Sequence, residues 1–422
     1  MPYCKRKKVR KSSKPKHGMS KPSNDIIMQN TKKSKNNIVP ENNIKVVRGA
    51  KLKRKRNINI FISTAALICV ICIILSLFLP VSLYENIVNT VSLIGHGSYP
   101  AEISGSTVLN TVSNGSYYYV LSDTNISAYS NSGKQIFSEM HGFSNPIMSV
   151  SNTRALLFDQ GGKVIYIYNL SGKIQTLETE DEIINANISR NGVFAVSTQS
   201  KNYTSTVNVY NKNCNKIYTW NSAKDIVNNV LVNSNGNKIA VSTLSAVSGQ
   251  YDSKVLILDF ESANALYTLD LDKSIVLSLE NTGRGLSVIT ADKYRFIHWS
   301  KFTTNEISAS GEINVFHKNS SGVLLVFNRA NDRSDNTVIL ISNKGTKVSE
   351  FKINSIITDI RYDKGRVYYI SDTVVNITDK NGELLRNGSC DYGAECFSVI
   401  GSNSLAVITD SEIIKTEIEK GE

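Results

Sequence analysis

The chain has 422 residues, a formal charge of +12, 41% hydrophobic residues and six cysteines. So few cysteines exclude a small disulfide-stapled scaffold and leave core burial to hold the fold, for which this length is ample. The positive charge invites nucleic acid as a partner, but the first 57 residues hold 19 Lys/Arg against two acids, a net of +17, so the remainder carries −5. That mildly acidic remainder argues against nucleic-acid binding.

Residues 1–57 are rich in Lys, Asn and Ser and show no apolar period, which predicts a disordered basic tail. Its clusters Lys5–Lys8 and Lys51–Arg56 have the charge to hold anionic lipid headgroups, or simply to fix topology. Residues 58–80 predict a transmembrane helix. Within them Ile60 to Leu79 form a 20-residue apolar run, about 30 Å as a helix, enough to cross a bilayer core. Five basic residues lie between Lys51 and Arg56, and none follows the run until Lys134. Basic flanks stay inside, so the expected topology is a single pass in the cell membrane, with the N-terminus cytoplasmic and the C-terminal domain extracytoplasmic. A cleaved signal peptide fits poorly, because its apolar core is normally only about 7–15 residues. In residues 81–97, Tyr84, Ile87, Val88 and Val91 have helical spacing and predict a short juxtamembrane connector.

From residue 98 to 422 a short apolar motif ending in a small polar residue recurs eight times. The copies end at Ser122, Asp159, Thr198, Thr243, Thr290, Asn328, Ser371 and Thr409, about 41 residues apart on average. Turns such as Arg190-Asn191-Gly192 precede the motif. β-rich segments such as Val164–Tyr168 and hairpin turns such as Asn131-Ser132-Gly133-Lys134 follow it. This grammar predicts an all-β domain, a β-propeller of eight four-stranded blades, with seven as the alternative count. The last repeat is one strand short, and Ala101–Ser104 could supply the missing strand and close the ring.

The stretch Tyr99-Pro100-Ala101-Glu102-Ile103-Ser104-Gly105-Ser106-Thr107-Val108-Leu109-Asn110 resembles the domain start of an uncharacterised family. His141-Gly142-Phe143-Ser144-Asn145-Pro146 and Arg154–Asp159 carry the same resemblance. The family is one of unknown function: membrane-anchored β-propellers, mainly of Gram-positive anaerobes. The resemblance implies location and fold; no catalytic residue carries over.

Motifs for chemistry are sparse. The five histidines have no metal-ligand spacing, and there is no H-E-x-x-H, G-x-S-x-G or nucleotide-binding glycine loop. No cofactor or metal is expected, and the balance leans away from an enzyme. Cys69 and Cys72 have two residues between them inside the apolar run, where packing is the simpler role. Cys390 and Cys396 flank a blade connection, where a disulfide is feasible outside the cytoplasm and two thiols are the other state. Cys214 falls where sister hairpins carry Gly133 and Gly172.

The connection after the motif is stretched at Gln199–Ser205, Leu244–Ser253 and Arg329–Asn336. Equivalent connections emerge on one face of a propeller, and long connections on a rigid scaffold are where binding resides. Tyr203, Tyr251, Arg329, Asp332 and Arg333 are therefore the candidate partner-binding residues, with His141 in a blade-connecting turn. The expected function is a membrane-anchored, non-catalytic binding or scaffolding platform in the cell envelope. Its lipid contact is Ile60 to Leu79, and its partner an envelope protein, peptide or polysaccharide. The alternatives are a propeller enzyme acting on envelope carbohydrate or peptide, and a transmembrane ligand sensor.

Overall fold

The computed structural model describes residues 58–67, 81–271, 273–319, 321–329, 331–390 and 393–419. Contacts divide the chain into two units, Met1–Leu75 and Ser76–Glu422. Of the first, residues 58–67 form a helix, α1, with Ile58, Ile60, Phe61, Ile62 and Leu67 exposed. The predicted tail and residues 68–80 of the predicted transmembrane helix lie outside the described residues. Among those described, no helix is long and apolar enough to cross a membrane.

The second unit contains eight four-stranded antiparallel sheets. Blades 1 to 7 span residues 108–140, 146–178, 183–222, 226–270, 276–307, 312–354 and 357–389. Blade 8 takes three strands from residues 396–417 and its fourth from Ala101–Glu102. Each copy of the apolar motif falls on the second strand of a blade or at its end. Both faces of that strand are covered, which is why it reads as a continuous apolar run rather than an alternating one. Tyr117–Ser122 and Gly285–Thr290 are buried at every position.

No sheet can bury its faces alone, so the blades bury them against each other. The described core divides into eight clusters, one at each blade interface. First strands touch first strands of neighbouring blades, so they line the axis. Because consecutive strands run antiparallel, the turns after the first and third strands share one face of the ring. The turns after the second strands and the blade-to-blade connections share the other.

The inner edge of every sheet faces the axis with backbone groups that no further strand can pair. Side chains of neighbouring first strands satisfy part of this edge. Asn185 and Asn187 of blade 3 accept from Val230 N and Val232 N of blade 4 at 3.4 and 3.3 Å. Asn281 of blade 5 donates to Val232 O at 2.6 Å. His317 Nδ1 of blade 6 accepts from Tyr362 N at 3.3 Å, and Asp359 of blade 7 accepts from Phe397 N of blade 8 at 3.1 Å.

Closure rests on a short strand. Ala101 pairs with Ile413 and Glu102 with Glu412. Ile103 N donates to Ser411 O at 3.0 Å, and Tyr129 of blade 1 donates its hydroxyl to Glu102 O at 2.7 Å. Ala101, Ile103 and Ile413 pack with Tyr118, Val120 and Tyr129 across the blade 8–blade 1 seam. The leading segment runs so close to blade 1 that a Cβ on Gly97 would lie 1.9 Å from Lys134 N.

Ahead of this strand, helix α2 (Val81–Ser92) lies on the face that carries the first- and third-strand turns. Asn89 donates to Thr153 O and accepts from Leu170 N, both at 3.0 Å. Glu85 is buried and paired with Arg154, whose Nε donates to Glu85 Oε1 at 3.0 Å. Arg154 also donates to Lys212 O, joining α2 to blades 2 and 3. At the helix end, the Lys134 ammonium donates to Ser92 O at 2.9 Å and Ile94 O at 2.6 Å, capping carbonyls that lack helical partners.

Two stability effects follow. Ile413→Ala opens a cavity in the closing seam and is expected to cost about 2–5 kcal/mol in chemical denaturation, whereas Leu384→Ala, at an exposed site, stays within about 0.5 kcal/mol. Glu85→Ala strands a buried guanidinium and is expected to cost about 3–5 kcal/mol of α2 docking, read as faster proteolysis within residues 81–97.

Candidate functional site

Tyr203, Tyr251, Arg329, Asp332 and Arg333 all lie on the second-strand turn face, and all are exposed. Tyr203 sits in the turn of blade 3 between Phe194–Gln199 and Ser205–Tyr210. The other two connections are not open loops. In blade 4 the strands Lys238–Val247 and Gln250–Asp259 stay paired to their tips, where Val247 meets Gln250. Ser248 and Gly249 both have positive φ, 52° and 77°, as a tight two-residue hairpin turn requires. In blade 6 the strands Gly322–Arg329 and Asp332–Ser342 pair without a break only as far as Asn328 with Asn336; the register then shifts, leaving Arg333, Ser334 and Asp335 out of this ladder before Arg329 pairs with Asp332. Continued ladder pairing makes the blade 4 stretch a ribbon longer than the hairpins of the shorter blades, whereas the blade 6 hairpin is bulged at residues 333–335.

These hairpins are electrostatically self-contained. Arg329 Nε lies 3.6 Å and Lys352 Nζ 2.9 Å from the Asp335 carboxylate. Asp332 accepts from the backbone and hydroxyl of Ser334 at 2.9 and 2.6 Å, and these bonds hold its carboxyl below the ordinary value. The structure brings Arg329, Asp332 and Arg333 together on blade 6. Tyr203 stands on blade 3 and Tyr251 on blade 4. The candidates thus share a face without forming one cluster.

His141 belongs to the same face but is buried. Its Nε2 lies 3.2 Å from Ser122 O, and its Nδ1 accepts from Phe143 N at 3.0 Å. With both ring nitrogens engaged inside the domain, it holds the connection between blades 1 and 2. Cys396 Sγ lies 3.2 Å from Thr111 Oγ1 across the blade 8–blade 1 interface. It packs toward that interface, while Cys390 packs against the core between blades 7 and 8. Burial pushes the Cys396 thiol up to about 11, so it is a poor nucleophile. Cys214 takes the positive φ of its sister glycines, 61°, and is half-buried rather than exposed, 3.3 Å from Gln175 Oε1.

A feature that sequence reasoning missed lies at the axial rim of this face. In blades 1, 3, 4, 5, 6 and 7 the first strand has a β-bulge at its second or third residue: Leu109, Ile184, Asn228, Leu277, Asn314 and Thr358. Bulges re-aim side chains and occur at rims and sites. None of the six is charged, and Leu109 and Leu277 are each nearly half exposed. A faint signal was available, because each bulge lies 13 to 15 residues before the end of its repeat motif.

Deeper along the axis the charged groups are committed to structure. Asp359 lies 2.9 Å from Arg361 Nη2 and accepts from Ile360 N and Phe397 N, at 2.8 and 3.1 Å. Burial raises its carboxyl above the ordinary value, with Arg361 and these backbone bonds opposing. Lys318 of blade 6 pairs with Glu280 of blade 5 at 2.9 Å. No group of three His, Cys, Asp or Glu with metal-binding geometry occurs among the described residues.

Residues 97–418 match DUF5711, a family of unknown function, and the chain belongs to that family. Comparison with curated proteins finds no match. Among solved structures, the chain is similar to the computationally designed Ika8 protein, with TM-score 0.54 and 12% identity over 76% of this chain and 100% of that one. It is also similar to the C-terminal WD40 domain of Sif2, with TM-score 0.53 and 12% identity over 78% of this chain and 100% of that one. At these identities the likeness is one of fold alone.

The axial bonds generate a pH dependence. His317 keeps some solvent-accessible surface but is enclosed by protein. That burial, followed by the charges of Arg361 and Lys318, pushes its imidazole well below the ordinary 6.5. The unfolded chain protonates His317 as pH falls through 6.5, while the folded protein resists. The contribution of neutral His317 is therefore complete above pH 6.5 and is lost below it, at up to about 1.4 kcal/mol per pH unit. His317→Asn keeps an acceptor for Tyr362 N and is expected to flatten this loss between pH 7.5 and 5.5 in denaturant titrations. An unchanged slope would assign the acid sensitivity elsewhere.

Proposed function

We propose that this member of DUF5711 is a non-catalytic docking platform of the cell envelope. In this reading Ile60 to Leu79 anchors the chain in the cell membrane, the tail stays cytoplasmic, and the propeller stands outside. The partner is an envelope protein, a peptide or a wall polysaccharide, taken on the face that carries the projecting hairpins. The polarity of the basic flanks around the apolar run supports the topology.

One observation carries the binding reading. The hairpins of blades 4 and 6 and the long turn of blade 3 emerge on one face, with Tyr251, Arg329, Arg333 and Tyr203 exposed on them. Helix α2 joins the ring on the opposite face. Exposed aromatic and Arg side chains on a rigid support bind with little loss of conformational freedom. The buried, internally bonded carboxylate of Asp359 gives no corresponding support to acid–base chemistry.

The test is affinity capture on the full chain, solubilised from its own membranes. Tyr203→Ala, Tyr251→Ala and the Arg329→Ala/Arg333→Ala pair are exposed changes expected to alter stability by less than about 0.5 kcal/mol. At least one should weaken partner retention by about 30-fold, the effect of losing a 2 kcal/mol hot spot. Retention unchanged by all three would remove the hairpin face as the binding surface.

A further inference from the structure

We propose that the face on which α2 lies rests on a lipid bilayer with anionic headgroups. The proposal builds on the anchoring reading above and adds which surface of the ring meets lipid.

Helix α2 is inverted. Two of its polar residues, Glu85 and Asn89, are buried against the ring, where Arg154, Thr153 and Leu170 bind them, while Asn86 and Thr90 are exposed. Its apolar residues point the other way: Leu83, Tyr84, Ile87 and Val91, with Ile94 just beyond, are 48% to 69% exposed. A helix packed on a soluble domain normally buries its apolar stripe. Here the ring takes the polar stripe, so the apolar one is left for another medium.

The face that carries α2 is rich in lysine, with Glu261 and Glu383 as exposed acids among its third-strand turns. Lys173, Lys216, Lys301, Lys344, Lys347 and Lys380 are exposed at the third-strand turns of blades 2, 3, 5, 6 and 7. The hairpin face mixes exposed basic residues such as Lys201, Arg329 and Arg333 with many exposed acids, among them Glu180, Glu182, Asp270, Asp332, Asp372 and Asp410. A domain of net negative charge therefore presents a lysine-rich face on the side that carries α2. A second copy placed face to face would meet like charge, whereas anionic headgroups complement it.

Chain continuity supplies the remaining argument. The apolar run ends at Leu79, two residues before α2 begins at Val81. A chain leaving a bilayer at Leu79 holds the start of α2 within the headgroup layer, where amphipathic helices lie in the plane with apolar side chains inserted. Lysine stems reach the same layer while keeping their charge in water.

The experiment uses the full chain in vesicles containing lipid brominated along the acyl chain, with tryptophan placed at Val91→Trp or, on the opposite face, Tyr251→Trp. Signals are read against the wild-type background of Trp220 and Trp299. Quenching at position 91 is expected to exceed that at 251 by about threefold or more, as for a residue at the acyl boundary. It should rise when about one fifth of the lipid is anionic and lose that increment in about 0.5 M salt. If the protein withstands an alkaline wash yet position 91 is quenched no more than 251, this proposal fails and the anchor stands. If the wash removes the protein, the anchoring reading fails and takes this proposal with it. Crosslinks from position 91 to a second copy or another protein would likewise overturn it.

Discussion

Everything in this molecule depends on closing the ring. Eight twisted sheets bury their faces only against one another, so a gap at any seam would expose two of them. The chain meets this demand with Ala101–Glu102, which completes blade 8 beside Glu412–Glu417. Two paired residues suffice because Ile103 and Ile413 carry the seam into the aromatic packing of Tyr118 and Tyr129.

Closure also decides how the molecule is faced. The third strand of blade 8 runs toward the first- and third-strand turns, so its antiparallel partner must start from that side. The preceding residues are delivered there, and α2 finds Arg154, Thr153 and Leu170 waiting for Glu85 and Asn89. The opposite face is left to the projecting hairpins and the bulged axial rim. A ring with the same blades but a closing strand from its C-terminus would lack this constraint.

The repeat architecture was legible because it rests on local composition. A second strand covered on both faces must be apolar throughout, and its recurrence about every 41 residues gave eight blades and the incomplete last one. The helical spacing of Tyr84, Ile87, Val88 and Val91 was equally plain, but the direction of the apolar stripe was not. It is set by Arg154, a partner 69 residues from Glu85. The stretches at Tyr251 and Arg329 read as loops because turn-forming residues are common there, yet ladder pairing runs to the tip of the first and resumes beyond a bulge in the second. The bulges at Leu109 and Leu277 were hidden because register is a property of two strands, not one. The roles of His141 and Cys396 depend on cross-blade neighbours in the same way.

The ring has two unlike faces: a lysine-rich one bearing α2, proposed above to meet lipid, and a hairpin-bearing one, proposed to meet a partner. The most direct measurement is photocrosslinking in living cells, with one crosslinker at Tyr251 and another at Lys380, and identification of the adducts. The account predicts discrete protein, peptide or polysaccharide adducts from position 251 and lipid adducts from position 380. Protein adducts from 380, with none of any kind from 251, would contradict it.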